Sequence, residues 1–246
     1  MSSLSLPALR EQVCEANLSL VRAGLVTLSF GNASGADRDL GLMLIKPSGV
    51  PYRGLRPEHL VAVALGDGRV VEGDLLPSSD TPTHLVLYRR FEKIGGVVHT
   101  HSTRASAWAQ ARLPIPPFGT THADHFHGPV PVTRPLRREE VEGDYERETG
   151  NLIVETFERL ALDPLEMPAV LVGSHGPFTW GRDAAEAADN ALALEAVADM
   201  ATVSLTLAPG LQPVPRYLLD RHYRRKHGPD AYYGQRRGPD RGSSRG

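Results

Sequence analysis

The sequence predicts an α/β fold in which helices cover a mixed sheet. Three observations carry that prediction. Segments with strand character alternate with segments of helical periodicity along most of the chain. A hairpin over 60–72 turns on Gly66-Asp67-Gly68, so the sheet is not wholly parallel. The run Val97-Val98-His99-Thr100-His101 follows Gly95-Gly96 and is rich in β-branched residues, as an internal strand requires.

Each element has its own local signals. Pro7 suits the first turn of a helix over 7–23, where Leu9, Val13, Leu20 and Val21 form a stripe and Gly24 ends it. Leu42–Ile45 is a short apolar strand closed by Pro47, and Leu60–Leu65 with Arg69–Glu72 make the hairpin. Thr81 as cap and Pro82 at the first helical position start a helix that runs to about Phe91. Helical patterns follow at 103–111, 137–160 and 183–207, with a further strand at 169–173.

The chain has 246 residues and a net charge of −2, which suits one large domain and argues against a general nucleic-acid binder. No apolar run approaches the ~20 residues of a membrane span, so no membrane association is expected. The opening MSSLSLPALREQ lacks a basic stretch followed by an apolar one, and Cys14 has no partner for an internal disulfide. A cytoplasmic protein is the expectation. Residues 236–246 contain four arginines and no apolar side chain and read as a disordered tail, leaving 1–235 as the folded domain.

Ten histidines mark where chemistry can reside. His99 and His101 stand two apart on a predicted strand, so both rings share a face and can converge on a metal ion. Two polar residues on a solvated sheet face would look the same. His175, in Gly173-Ser174-His175-Gly176-Pro177, sits in a tight turn after an apolar strand, as either a ligand or a turn residue facing water. Asp80 offers a carboxylate or an ordinary helix cap. Gly31-Asn32, Lys46-Pro47-Ser48-Gly49 and Ser78-Ser79 are small, polar turns of the kind that cradle an anion. Neither GxxxxGK[ST] nor GxGxxG is present, so no P-loop or dinucleotide fingerprint applies.

Taken together, IKPSGV (45–50), VEGDLLPSSDTPTH (71–84), GGVVHTHS (95–102), GTTHAD (119–124), ETGN (148–151), SHGPF (174–178) and HYRRKHGPDAYYGQ (222–235) resemble the L-ribulose-5-phosphate 4-epimerases of the class II aldolase and epimerase superfamily. The resemblance spans nearly the whole chain. It implies a three-layer α/β/α sandwich with a largely antiparallel central sheet. It implies a divalent metal, usually zinc, held by His99, His101 and His175 with Asp80. Gly31, Asn32, Lys46, Ser48, Gly49, Ser78 and Ser79 would bind a sugar phosphate. Asp124 and Tyr233 would be the acid and base, with Tyr233 and His222 reaching in from a neighbouring subunit of a homotetramer. His125 and His127 depart from the family pattern, which has aromatic residues after this aspartate.

The implied activity is interconversion of L-ribulose 5-phosphate and D-xylulose 5-phosphate by retro-aldol chemistry, with no nucleic-acid or membrane partner. The basic run Arg216–His227 is then a helix that meets a neighbouring subunit or the substrate phosphate. An aldolase releasing dihydroxyacetone phosphate is the alternative, and a non-catalytic oligomer module a third reading that lacks any use for the ligand set.

Overall fold

The computed structural model describes residues 5–228, 231 and 232, so the arginine-rich tail and Tyr233 lie outside the described residues. The elements run α1 (Leu6–Arg22), β1 (Asn32–Asp37), β2 (Leu42–Ile45), β3 (Val61–Ala64), β4 (Val70–Glu72), α2 (Thr81–Arg90) and β5 (Gly96–His99). They continue with α3 (Thr103–Ala111), α4 (Thr120–Ala123), α5 (Arg138–Glu142), α6 (Tyr145–Leu160), β6 (Ala169–Leu171), β7 (Pro177–Gly181), α7 (Ala184–Leu207) and α8 (Arg216–His227). The seven strands form one sheet in the order β4-β3-β2-β1-β5-β7-β6. Every strand pairing is antiparallel. The one parallel contact among the described residues is the isolated bridge between Val132 and Leu171.

The alternation of side chains across the sheet divides the core in two. Leu44, Ala62 and Val98 point to one face, against Leu9, Val13 and Leu20 of α1 and the alanines that begin α7. Met43, Ile45, Val61, Val63 and Val97 point to the other, against Leu87 and Tyr88 of α2, Phe157 of α6 and Trp180. This is the three-layer arrangement. α7 is long and apolar enough by length and composition to cross a membrane, contrary to the expectation that no such run exists. In the fold one face of it is buried, with Ala184, Ala187, Ala188 and Ala191 in one layer and Leu194, Val197, Ala198 and Ala201 in the other, while Met200, Val203 and Leu207 are exposed.

The central strand β1 was not expected, because its sequence NASGAD is poor in strand formers. Tertiary contacts hold it there. The Asn17 side chain on α1 donates to Ala33 O at 3.0 Å and accepts from Ala33 N at 2.9 Å, supplying a backbone partner beyond the end of β2. Small residues are required beneath α1: a Cβ on Gly35 would lie 2.6 Å from Val13 Cγ2. The single helix expected over 137–160 is broken at Gly143, where φ −95° and ψ −128° leave the helical region between α5 and α6.

β5 runs so close to the start of α7 that a Cβ on Gly96 would lie 2.2 Å from Asp183 O. Gly96→Ala is therefore expected to cost at least about 2 kcal/mol by forcing backbone apart. Gly24→Ala, at φ +71° with nothing within 4 Å, is expected to cost only the ~1 kcal/mol of a left-handed residue. Urea denaturation of the two variants checks the difference, and equal losses would show that β5 can move away from α7.

Candidate active site

Antiparallel register gathers the polar segments at one end of the sheet. Asn32 begins β1 and lies opposite His99, which ends β5, and His99 in turn lies opposite Phe178 near the start of β7. β2 ends at Ile45 beside the same edge, so Lys46 follows directly. A bridge between Pro47 and Pro77 draws in the next turn, with Ser48 N–H donating to Leu76 O at 2.9 Å and Ser78 N–H to Lys46 O at 3.1 Å. A cavity of about 430 Å³ results. Gly31, Asn32, Lys46, Ser48, Gly49, Ser78, Ser79, Asp80, His99, His101 and His175 all line it.

Glycine has a specific task at Gly31. Its φ is +81°, and a Cβ there would lie 2.7 Å from His99 O, so only glycine lets β1 start against the backbone of a cavity histidine.

The ligating nitrogens of His99, His101 and His175 lie within 4.8 Å of one another. β5 ends at His99, so His101 lies just beyond the strand rather than on it, but the rings still converge, Nε2 to Nε2, at 3.0 Å. Two lone-pair nitrogens at that separation call for a proton or a cation between them. His99 is 1% exposed. Its Nδ1–H donates to Pro177 O at 2.9 Å, which directs the Nε2 lone pair inward, and Phe178 stacks on the ring at 4.2 Å. Burial and the neighbouring His99 push the pKa of His101 down, and burial with His99 and His101 lowers that of His175 to about 3. Neutral, crowded imidazoles are the form that binds a divalent cation, so the residues present fit one.

Asp80, not Thr81, occupies the cap position of α2, yet its carboxylate makes no capping bond. It accepts instead from Asn32 Nδ2 at 2.6 Å. Burial opposes its ionisation, but His99, His84 and that hydrogen bond outweigh burial and hold its pKa below the usual range. The three-histidine group itself does not include Asp80. Asn32 Oδ1 is buried without a partner and lines the cavity, an acceptor waiting for a donor. Lys46 is 2% exposed; its Nζ donates to Pro47 O at 3.3 Å and lies 4.7 Å from the centre of the Tyr52 ring. No carboxylate pairs with it among the described residues, and burial lowers its pKa, so an anionic ligand would supply the counter-charge its ammonium lacks.

Asp124 and His222 sit elsewhere in the chain, outside the residues that line this cavity. Arg225 on α8 grips Asp124 with two bonds, Nε to Oδ1 at 2.9 Å and Nη2 to Oδ2 at 2.5 Å, and His222 Nδ1 lies 3.0 Å from Oδ1. Burial works against the charge, but Arg225 and His222 hold the carboxyl below its usual range. His127 takes over the work of an aromatic: it stacks on Tyr223 at 4.5 Å with planes 10° apart, while its nitrogens meet Glu166 and Asp220. Burial, then Lys226 and His227, lowers the pKa of His125 to about 4. Tyr145 and Glu146, at the start of α6, also line the cavity; spacing in the sequence carries no signal for them.

Residues 11–202 match the family described as the class II aldolase and adducin N-terminal domain. The chain belongs to that family. Members of the class II aldolase family similar to it include the L-ribulose-5-phosphate 4-epimerases UlaF of Salmonella typhi and Salmonella paratyphi A. Each is 53% identical over 93% of this chain and 99% of its own length. Among solved structures, an L-fuculose 1-phosphate aldolase covers 89% of this chain and 96% of its own with a TM-score of 0.74 at 23% identity, a likeness of fold. The structure of YgbL of Klebsiella pneumoniae, named a putative aldolase/epimerase/decarboxylase, reaches 0.71 at 26% identity, covering 89% of this chain and 99% of its own.

Four imidazoles, His84 and His122 buried and His125 and His175 half-buried, make the metal-free protein sensitive to acid. Burial lowers the pKa values of His84 and His175 to about 3 and of His122 and His125 to about 4. The unfolded chain takes up these protons near pH ~6.5. Stability is therefore complete above that pH and is lost as pH falls through 6 towards 4. Thermal melts of chelator-treated protein are expected to show Tm dropping over that window, and a constant Tm would mean these rings are not buried neutral.

Proposed function

We propose that this protein is a metal-dependent 4-epimerase interconverting L-ribulose 5-phosphate and D-xylulose 5-phosphate. The observation that carries this reading is 53% identity, over 93% of the chain, to proteins named for that activity. The aldolase alternative rests on a likeness of fold at 23% identity and has no comparable support.

The chemistry explains the kind of cavity required. The C4 proton of a ketopentose phosphate is not acidic, whereas the C2 carbonyl activates the bond between C3 and C4. Cleavage yields the enediolate of dihydroxyacetone and glycolaldehyde phosphate, because the phosphate is carried on C5. Rotation of the aldehyde and re-addition through its other face invert C4. A divalent cation held by His99, His101 and His175 with Asp80, which we assign as zinc, supplies Lewis-acid stabilisation of charge on the substrate oxygens when bound.

The chain's own residues do the remainder. Lys46 binds the substrate phosphate, with hydroxyls of Ser48, Ser78 and Ser79 and the backbone of Gly49 around it. Asn32 Oδ1 takes a sugar hydroxyl. Breaking C3–C4 removes the proton from O4 and re-addition returns it on either side of the aldehyde plane, so two proton carriers are needed, Asp124 and Tyr233. Asp124 and His222 touch within one chain. A subunit that lends His222 to its neighbour therefore lends Asp124 as well. We place the cavity at subunit interfaces of a homotetramer in the cytoplasm.

Purified protein loaded with Zn²⁺ is expected to convert L-ribulose 5-phosphate to D-xylulose 5-phosphate without free dihydroxyacetone or glycolaldehyde phosphate, to lose activity with a chelator and to regain it with metal. Released triose would instead identify an aldolase. Lys46→Met is expected to raise KM about 10-fold or more, the loss of a charge-assisted hydrogen bond of roughly 1.5–3 kcal/mol. Mixed assemblies of Asp124→Asn and His175→Ala subunits, each inactive alone, are expected to recover activity. Failure to do so would place Asp124 in its own subunit's cavity.

A further inference from the structure

His99 and His175 reach the cavity with unequal support. The His99 ring is fixed by the Pro177 carbonyl on Nδ1 and by Phe178 on its face. A carbonyl only accepts, so the His99 proton must reside on Nδ1. His175 stands in the turn between β6 and β7, after Ser174 at φ +66°, with its backbone N–H on Val172 O at 3.0 Å. Those bonds set the backbone, and the edge-on contacts of the ring with His99, His101 and Phe178 do not select its tautomer. The contact at its Nδ1 is the Tyr145 hydroxyl, at 3.3 Å.

Tyr145 is itself well anchored. It is the first residue of α6, and Thr149 Oγ1 donates to its carbonyl at 2.9 Å. Thr83 Oγ1 on α2 donates to Glu146 O at 2.5 Å, and a Cβ on Gly150 would lie 2.8 Å from Val86 Cβ, so α6 and α2 are in close contact at this end. Asp80 caps α2, so one rigid helix pair carries both Asp80 and Tyr145 into the cavity.

A phenol can donate or accept, and the two choices have opposite consequences. If Tyr145 donates, the His175 proton sits on Nε2, and the nitrogen left for the three-histidine group cannot ligate. If Tyr145 accepts, Nε2 is bare. We propose that Tyr145 is a positioning residue whose oxygen accepts the Nδ1–H of His175, holding that ring in the tautomer with a free Nε2 and leaving the phenolic hydrogen to donate to a ligand in the cavity. Burial, then Asp80, raises the Tyr145 pKa, so the hydroxyl keeps the hydrogen this role requires. The role rests on the metal-site reading above and deepens it, because a neutral acceptor on the outer nitrogen of a histidine fixes the ring and makes it a better ligand.

Tyr145→Phe retains the ring and removes the oxygen. Long-range ¹⁵N–¹H spectra of the metal-free protein are expected to show His175 protonated at Nδ1 in the parent and redistributed towards Nε2 in the variant, with His99 unchanged. Competition with a chromophoric chelator is expected to show Zn²⁺ affinity falling about 10-fold or more, with the Tm of the metal-free protein preserved. A His175 tautomer that does not respond, or an affinity equal to the parent's, overturns the role of Tyr145. A parent protein that fails to bind Zn²⁺ overturns the site assignment instead, so the two failures are distinguishable. A fall in Tm matching the loss of affinity would make Tyr145 merely structural and would also overturn its role.

Discussion

The site depends on the close approach of three imidazoles, whose ligating nitrogens lie within 4.8 Å of one another. Burial and the neighbouring rings push His101 and His175 towards the neutral form, since a proton on either would place a cation against its neighbours. The Pro177 carbonyl on the outer nitrogen of His99 fixes that ring with its other lone pair facing the cavity. Asp80 adds a negative charge at the same place, where the adjacent histidines and the hydrogen bond from Asn32 outweigh its burial. Neutral donors beside a fixed carboxylate are the electrostatic complement of a divalent cation.

That requirement explains features of the fold that have no other local reason. β1 is built of weak strand formers, yet it occupies the centre of the sheet because its first residue must stand opposite His99. Gly31 is glycine because the chain passes within van der Waals reach of His99 O. Ser34 on β1 bonds to His84 at 2.7 Å and to Tyr88 at 2.8 Å, so the polar chain beneath the cavity joins β1 to α2. Asp80 gives up the capping bond its position offers, a small loss of helix stability exchanged for a carboxylate in the cavity.

Strong local signals were legible in the sequence: the Pro7 helix, Leu42–Ile45, the Gly66-Asp67-Gly68 hairpin, and the helices beginning at Thr103 and after Asp183 all stand close to where their residues place them. β1 was not legible, because its stability comes from Asn17 and from its two neighbouring strands rather than from NASGAD. β7 begins with proline and contains glycine, and only its pairing with β5 and β6 makes it a strand. In the candidate site, the meeting of His99 and His101 follows from a spacing of two even though the strand stops at the first of them. Tyr145 carried no such signal: it enters through the packing of α6 on α2, a contact between segments about sixty residues apart. His127 stood out as a departure, and its stacking on Tyr223 shows how an imidazole replaces an aromatic while adding two ion-pair partners.

The molecule thus presents two polar centres with different states of readiness. In the cavity, Lys46, Asn32 Oδ1 and the three histidines hold unspent bonding capacity: a cation lacking a carboxylate partner among the described residues, a buried acceptor without a donor, and lone pairs facing one another. Around Asp124 the reverse holds. Arg225, His222 and His227 saturate it, the last through its backbone carbonyl at 2.9 Å. Those bonds present the carboxylate rigidly, and the α8 helix that presents it leads directly into the segment bearing Tyr233. Binding capacity at one centre and stiff presentation at the other is the division expected when one surface receives a substrate and another is brought to it. The α8 arginines are then better understood as fixing the geometry of Asp124 than as a surface for nucleic acid.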